Sequence, residues 1–190
     1  MTPVRRKYLL FSLFTVLALV LDQWTKVMAR QHLRPRGPFH PKVIIEGFFD
    51  LRYAENPGVA FSMLTEMPGG LLSIVALAAF ALVIVYLRKL PVESTRLHIA
   101  LGLVGGGALG NLIDRLLYGK VTDFIVWKAK GHEWPAFNIA DAALCIGVGL
   151  MVLDMFKKPR TTQAPPACPG TGSRSVKLWL SVAILRPDRS

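Results

Sequence analysis

Residues Gly69 to Leu87 read GGLLSIVALAAFALVIVYL, a run without a charged residue. A helix needs about 20 apolar residues to cross the hydrocarbon core of a bilayer, and this run has that length. Largely apolar segments also lie before and after it, at residues 8–28, 97–117 and 137–156. The sequence therefore predicts an all-α integral membrane protein with four transmembrane helices.

The composition of the chain agrees with this class. Of the 190 residues, 52% are hydrophobic and 18% are charged, whereas a soluble domain has about 25% charged residues. The formal net charge of +11 would favour a nucleic-acid partner in a soluble protein. Here the basic residues lie mostly beside apolar segments, where anionic lipids and membrane orientation account for them. With no nucleic-acid-binding motif present, we expect membrane lipids and no nucleic acid as partners.

Basic residues near the ends of the spans predict the orientation. Three groups would share one side of the membrane, and they are Arg5, Arg6, Lys7, Arg88, Lys89, Arg96, Lys157, Lys158 and Arg160. That side is predicted to be cytoplasmic, although Arg30, Arg34 and Arg36 would lie on the other side. The longer connections, residues 29–68 and 119–136, would then face outward from a bacterial inner membrane.

The first span also permits a different interpretation. Arg5, Arg6 and Lys7 precede its apolar run, and Val27-Met28-Ala29 is a tolerable cleavage site. These are features of a secretory signal peptide. On these residues alone, a cleaved signal peptide and a retained span both remain open.

The segments outside the spans predict two further features. Val43-Ile44-Ile45 and the stretch from Phe48 to Tyr53 are β-prone and predict a small sheet at the periplasmic membrane surface. Residues 159–175 are rich in Pro, Thr, Gly and Ser, which is typical of a disordered tail. We expect a membrane domain over residues 1–158 and a disordered tail over residues 159–190.

Ionisable residues in a membrane span are unfavourable by ~2.5–3.5 kcal/mol near the helix centre, so they persist where they are paired or functional. The predicted topology puts six of them near outer span ends, and they are Asp22, Lys26, Asp114, Arg115, Asp123 and Asp141. Because a short connection joins the third and fourth spans, Asp123 can approach Asp141.

Helical spacing groups some of these residues with asparagines. Asn111 lies three and four residues before Asp114 and Arg115, and Asn138 lies three residues before Asp141. Residues at these spacings share a helix face. The spacing predicts a patch of Asp114, Asp141, both asparagines and the arginine at one depth.

Structural explanations for the same residues remain open at this point. Asp22 and Lys26 have the i,i+4 spacing of an ion pair, Asp114 can belong to a helix-end charge cluster, and Asn138 can cap the fourth span. Two functional alternatives also remain, a small transporter and a non-enzymatic scaffold. The transporter predicts carboxylates near the membrane midplane and inverted repeats, and the sequence shows neither.

The sequence gives no indication of a metal or another cofactor. His32, His40, His98 and His132 lack ligand spacing, and there is no HExxH motif. The two cysteines form no CxxC pair.

Five motifs in order resemble those of lipoprotein signal peptidases, the signal peptidase II family. They are DQWTK at 22–26, NPGVAFS at 56–62, GGGALGNLIDR at 105–115, GKVTDFI at 119–125 and PAFNIAD at 135–141. The resemblance covers about residues 20 to 145, and it favours a first helix that is retained.

The resemblance implies a membrane aspartyl endopeptidase that removes the signal peptide of diacylglyceryl-modified prolipoproteins just before the lipidated cysteine. It implies that Asp123 and Asp141 are catalytic and that Asp114 is structural. Positions that would line or support the pocket are Asn56, Gly58, Gly107, Asn111, Arg115, Asn138, Ala140, Asp22 and Lys26. We expect a monomer without cofactors, with its active site near the outer face.

Two close carboxylates can catalyse peptide hydrolysis if they share one proton, since both cannot ionise cheaply. Which of the two holds the proton is left open, because the pair titrates as a unit. The three glycines at 105–107 make the third span thin. This favours close packing against other helices over space for a substrate helix. Arg115 can hold a lipid or peptide carbonyl.

Overall fold

A computed structural model describes residues 1–37, 39–58 and 69–156. Four helices form where the apolar segments are predicted, namely α1 (Pro3–His32), α2 (Gly69–Lys89), α3 (Thr95–Tyr118) and α4 (Ile139–Met155). By length and composition α1, α2 and α3 can each cross a membrane, whereas α4 has 17 residues. The predicted tail at 159–190 lies outside the described residues.

Four antiparallel strands form one sheet in the order β1-β2-β3-β4. The strands are β1 (Lys42–Ile45), β2 (Phe49–Asn56), β3 (Val121–Ala129) and β4 (His132–Glu133). The first two confirm the β-prone pieces of the sequence. The other two come from the second long connection, so the two connections lie at the same end of the helices.

The sequence did not predict β3, because the residues of this strand do not alternate between apolar and polar. Val121, Thr122, Asp123 and Phe124 are all buried in succession. Successive side chains of a strand point to opposite faces, so both faces of this part of β3 are covered, and α1 and α3 both contact the strand. Its pattern therefore lacks the period of two that marks a half-exposed strand.

Glycines let α3 approach its neighbours closely. A Cβ atom added to Gly106 would lie 2.6 Å from the carbonyl oxygen of Thr15 on α1. A Cβ atom on Gly107 would lie 2.5 Å from the carbonyl oxygen of Ala140 on α4. Both glycines thus face other helices, which agrees with the packing explanation rather than with space for a substrate.

A buried lysine closes the end of the bundle opposite the sheet. Lys7 on α1 is 4% exposed, and its Nζ donates hydrogen bonds to the carbonyl oxygens of Leu90 at 2.7 Å and Arg88 at 3.3 Å. These carbonyls belong to the C-terminal end of α2, where a cation is favourable. The basic groups of the first two predicted clusters therefore share one end of the protein.

Two backbone features lead the chain from α3 into the site. Gly119 adopts φ 72° and its N–H donates to the carbonyl of Arg115, which ends α3 in a left-handed cap. After β3 and β4 the chain returns, and Phe137 pairs with Ile125 of β3. This pairing brings the first turn of α4 beside the middle of β3.

Candidate active site

A cavity of about 520 Å³ lies where α3, α4 and the sheet meet. Asp123 and Asp141 both line it, together with Asn56, Asn111 and Arg115. The rest of its lining is mainly apolar and consists of Val121, Trp127, Trp134, Pro135, Ala136, Phe137, Ala142, Leu144, Cys145 and Ile146. The structure thus brings the two predicted catalytic residues to one cavity.

Asp123 is held by two asparagine side chains. It is 2% exposed and is paired in the sheet with Ala54 of β2. Its Oδ1 accepts from Asn138 Nδ2 at 2.6 Å, and its Oδ2 accepts from Asn56 Nδ2 at 3.1 Å. Burial, and secondly the charge of Asp141, raise the pKa of Asp123 from 3.8 to about 7. A protonated carboxyl is therefore well populated at neutral pH.

Asp141 belongs to the first turn of α4. Its Oδ2 accepts from the backbone N–H of Asn138 at 3.2 Å, and its own N–H donates to Asn138 Oδ1 at 3.0 Å. This is a reciprocal capping box, so the capping explanation for Asn138 is confirmed. The other carboxylate oxygen, Oδ1, accepts from Asn111 Nδ2 at 2.8 Å. The cap thus fixes the carboxylate at the cavity rather than competing with a role there.

Asn138 connects both carboxylates. It is fully buried, and its Nδ2 donates to Asp123 and also to Asn111 Oδ1 at 3.2 Å. Its Oδ1 is occupied by the backbone N–H of Asp141. One amide side chain therefore sets the relative position of β3, α3 and α4.

Asp22 and Lys26 form the predicted ion pair. Both are 0% exposed, and Lys26 Nζ lies 2.9 Å from Asp22 Oδ2. Asp22 Oδ1 accepts from the backbone N–H of Ala140 at 2.9 Å. Lys26 Nζ donates to Asn111 Oδ1 at 2.9 Å. The pairing explanation is confirmed, and each partner also holds an element that carries a cavity residue.

Asp114 points away from the cavity, so the predicted patch needs a correction. Its Oδ1 lies 3.4 Å from Arg30 Nη1, and its Oδ2 lies 3.5 Å from Lys26 Nζ and accepts from the backbone N–H of Thr122 at 2.9 Å. Residues three apart lie on the same face of a helix, but the side chain of Asp114 turns toward α1, where it pairs with Lys26 and Arg30. The two carboxylates at the cavity are Asp123 and Asp141 instead.

Arg30 and Thr122 also belong to this network, although the sequence did not predict a site role for either. Arg30 Nη1 donates to Thr122 Oγ1 at 2.7 Å. Thr122 directly precedes Asp123 in the chain. A signal was available, because Arg30 lies four residues after Lys26 and eight after Asp22. These spacings put all three on one face of α1.

Arg115 holds the end of β2. Its Nη2 donates to the carbonyl of Gly58 at 2.9 Å, and the N–H of Gly58 donates to Asn56 Oδ1 at 2.9 Å. Among the described residues Arg115 Nε has no hydrogen-bond partner. Residues 59–62 of the second motif lie outside the described part of the chain.

Within residues 1–37, 39–58 and 69–156, no group of three histidine, cysteine or acidic side chains is placed to hold a metal ion. The absence of a metal cofactor stays a prediction.

Comparisons with known proteins cover most of the chain. A family model described as signal peptidase (SPase) II matches residues 14–157, which include all five motifs. The chain is 37% identical over 159 residues to a lipoprotein signal peptidase of Geobacter metallireducens, across 83% of this chain and 96% of that protein. It is 45% identical over 150 residues to the lipoprotein signal peptidase of Shewanella loihica, across 76% and 85%.

A solved structure shares the fold. It is described as a bacterial membrane enzyme structure by the in meso method, and it matches with a TM-score of 0.71 at 27% identity. The match covers 82% of this chain and 92% of that chain. The arrangement of long helices and a small sheet is therefore that of a bacterial membrane enzyme.

Proposed function

This chain belongs to the signal peptidase II family of aspartic-type peptidases, the lipoprotein signal peptidases that cleave prolipoprotein signal peptides, and on that premise we propose that Asp123 and Asp141 are its catalytic pair. One observation carries the proposal. Both carboxylates line the same cavity, and Asn138 contacts both of them. A peptide carbonyl in this cavity would meet two carboxyl groups of different protonation.

The proposed mechanism is general acid–base hydrolysis. The raised pKa of Asp123 favours it as the proton donor, which leaves Asp141 as the base. Asp141 takes a proton from a water whose oxygen attacks the scissile carbonyl carbon, while protonated Asp123 donates to the carbonyl oxygen. The C–N bond of the tetrahedral intermediate then breaks, and the proton taken up by Asp141 passes to the leaving amine. Asp123 takes back a proton from one hydroxyl of the intermediate, which becomes the carboxyl group of the product, so both carboxyl groups return to their starting states.

The apolar part of the cavity supports a lipid-modified substrate. Trp127, Phe137, Leu144 and Ile146 are among the apolar residues that line it. A diacylglyceryl group next to the scissile bond would bury its acyl chains against such side chains. We therefore assign cleavage just before a diacylglyceryl-modified cysteine, with the guanidinium group of Arg115 at the cavity as a donor for a substrate carbonyl.

The membrane topology of the proposal has four spans. Seventeen residues of α4 extend about 26 Å, close to the ~30 Å of hydrocarbon that a span must cross. Val148, Val152 and Leu153 of α4 are exposed, as expected for side chains that face lipid. The basic end that contains Lys7 is assigned to the cytoplasm and the sheet end to the outer face. A monomeric membrane domain over residues 1–158 with a separate tail completes the proposal.

The test is cleavage of a purified diacylglyceryl-modified prolipoprotein. Wild type should cut it before the lipidated cysteine, and Asp123→Asn and Asp141→Asn should each lose at least ~100-fold in kcat. Asp50→Asn is the matched control, because Asp50 is a buried aspartate of the same sheet that pairs with Lys128 at 2.6 Å. It should retain cleavage.

Two results would contradict the proposal. Substantial turnover by folded Asp123→Asn or Asp141→Asn would remove the assignment of the pair. Equal cleavage of the same prolipoprotein without its diacylglyceryl group would remove the assignment of the substrate.

A further inference from the structure

We propose that Lys26 is a positioning residue that fixes the side-chain amide of Asn111 and, through it, the carboxylate of Asp141. The inference rests on the proposed function, because it concerns the geometry of the catalytic pair. Lys26 lies on α1 and does not line the cavity, whereas Asn111 does. Its influence on catalysis would therefore be indirect.

Three oxygens surround the ammonium group of Lys26. Three oxygens lie within reach of Nζ, namely Asp22 Oδ2 and Asn111 Oδ1 at 2.9 Å and Asp114 Oδ2 at 3.5 Å. An ammonium group has three N–H donors and no acceptor. Ion pairing with Asp22 alone would need only one of these contacts. The contact with Asn111 is therefore additional to the structural pair.

The chemistry of the two groups determines how Asn111 is oriented. Because Lys26 can only donate, the oxygen of the Asn111 amide must face it. The amide nitrogen is then left on the other side, where it donates to Asp141 Oδ1 at 2.8 Å. If the amide turned over, its oxygen would face the carboxylate of Asp141 and its nitrogen would face a cation. A charged hydrogen bond is the stronger kind, so Lys26 strongly disfavours that orientation.

The same amide oxygen links the second carboxyl to this system. Asn138 Nδ2 donates to Asn111 Oδ1 at 3.2 Å and to Asp123 Oδ1 at 2.6 Å. This contact keeps part of the preferred orientation when Lys26 is absent, so we expect a reduced rate rather than a complete loss. The positive charge of Lys26 also lowers the pKa of Asp123, against the larger effect of burial. Removing the charge should raise that pKa further.

Lys26→Met is the principal variant. We expect kcat to fall about 10- to 100-fold through misplacement of the base, with KM changed less than about threefold. The alkaline limb of the pH profile of kcat/KM should move to higher pH. A purely structural lysine would lower the melting temperature and leave kcat of the folded variant near its wild-type value.

Lys7→Met is the matched control on the same helix. Lys7 is also a buried lysine, but it donates to backbone carbonyls at the opposite end of α1. Its loss should reduce thermal stability while kcat and the pH profile stay as in wild type. Equal changes of kcat or of the pH limb in both variants would overturn the inference.

A double-mutant cycle tests whether Lys26 acts through Asn111. If it does, Lys26→Met combined with Asn111→Ala should be about as slow as Asn111→Ala alone. If the reductions of kcat in the two single variants multiply in the double variant, the two residues act independently and the inference is overturned. If Lys26→Met does not fold, Lys26→Gln with Asp22→Asn replaces it in the cycle, because that pair leaves no unpaired Asp22 carboxylate.

The controls separate the two proposals. If wild type cleaves and Asp141→Asn does not, the proposed function stands, and a folded Lys26→Met with wild-type kcat refutes only the role of Lys26. If wild type itself fails to cleave the lipid-modified substrate, the proposed function fails, and this inference fails with it.

Discussion

The protonation of Asp123 should make the stability of the protein depend on pH. Its pKa in the folded protein is about 7, against an ordinary value of 3.8. Between these two values the folded state retains a proton that the unfolded chain has released, so the free energy of unfolding falls as pH rises. Below about pH 4 both states are protonated, and above about pH 7 both are ionised. The stability attributable to this carboxyl is thus highest in acid and lost by neutral pH.

The size of the effect follows from the same two values. The interval from 3.8 to about 7 corresponds to roughly 4 kcal/mol at 1.36 kcal/mol per pKa unit. Asp123→Asn has no such proton to lose. The difference in unfolding free energy between wild type and Asp123→Asn should therefore shift by up to roughly 4 kcal/mol in favour of the variant from pH 4 to pH 7.

Thermal unfolding in detergent, followed by the fluorescence of the four tryptophans, measures this difference between pH 4 and pH 8. Asp141→Asn removes the second cause of the raised pKa, so its transition should end at lower pH than in wild type. The unfolding free energy of Asp50→Asn should change with pH as that of wild type does between pH 4 and pH 7. A wild-type-minus-Asp123→Asn difference that is flat from pH 4 to pH 7 would refute the assignment of a raised pKa to Asp123.

Three further predictions concern activity. Above about pH 7, where the pair loses its shared proton, kcat/KM should fall, and a profile that is level to pH 9 would contradict the acid role. Gly107→Val should lower the melting temperature and reduce kcat at least about tenfold, because its side chain would meet the carbonyl of Ala140 beside the cavity. Gly149→Ala has open space around the added methyl group and should change neither quantity. In a Cys168→Ser background, a bulky maleimide should alkylate the exposed Cys145 of the cavity wall and block cleavage. A non-cleavable lipid-modified substrate should slow that alkylation, and unhindered labelling in its presence would place the substrate elsewhere.

The sequence was sufficient to predict the helices and the approach of two carboxylates, for different reasons. A helix in lipid must be apolar over its own length, so Gly69 to Leu87 needed no knowledge of the rest of the fold. Asp141 and Asn138 share one helical turn, and their mutual cap follows from local spacing. The approach of Asp123 to Asp141 was predictable from the short connection between them. In each case the relevant partners are close in sequence.

Where partners are distant in sequence, the prediction was incomplete. The sequence does not show whether the side chain of Asp114 points toward the cavity or toward α1, because this depends on how α1 packs against α3. The strand β3 lacked alternation because both of its faces are buried over residues 121–124, and α1 and α3 contact it there only through the packing of the fold. Neither fact is contained in local periodicity, because both depend on how the helices pack.

The first helix carries these long-range contacts, and this distinguishes the two interpretations of residues 8–28. Asp22 holds the first turn of α4, Lys26 holds Asn111 of α3, and Arg30 holds Thr122 of β3. The three residues are spaced by four, so three successive turns of one helix fix three of the elements that carry cavity residues. Cleavage after Ala29 would remove Asp22 and Lys26 and leave Asp114 without one of its two cations. A helix that supplies these contacts is part of the folded enzyme, so the structure favours its retention over its removal as a signal peptide.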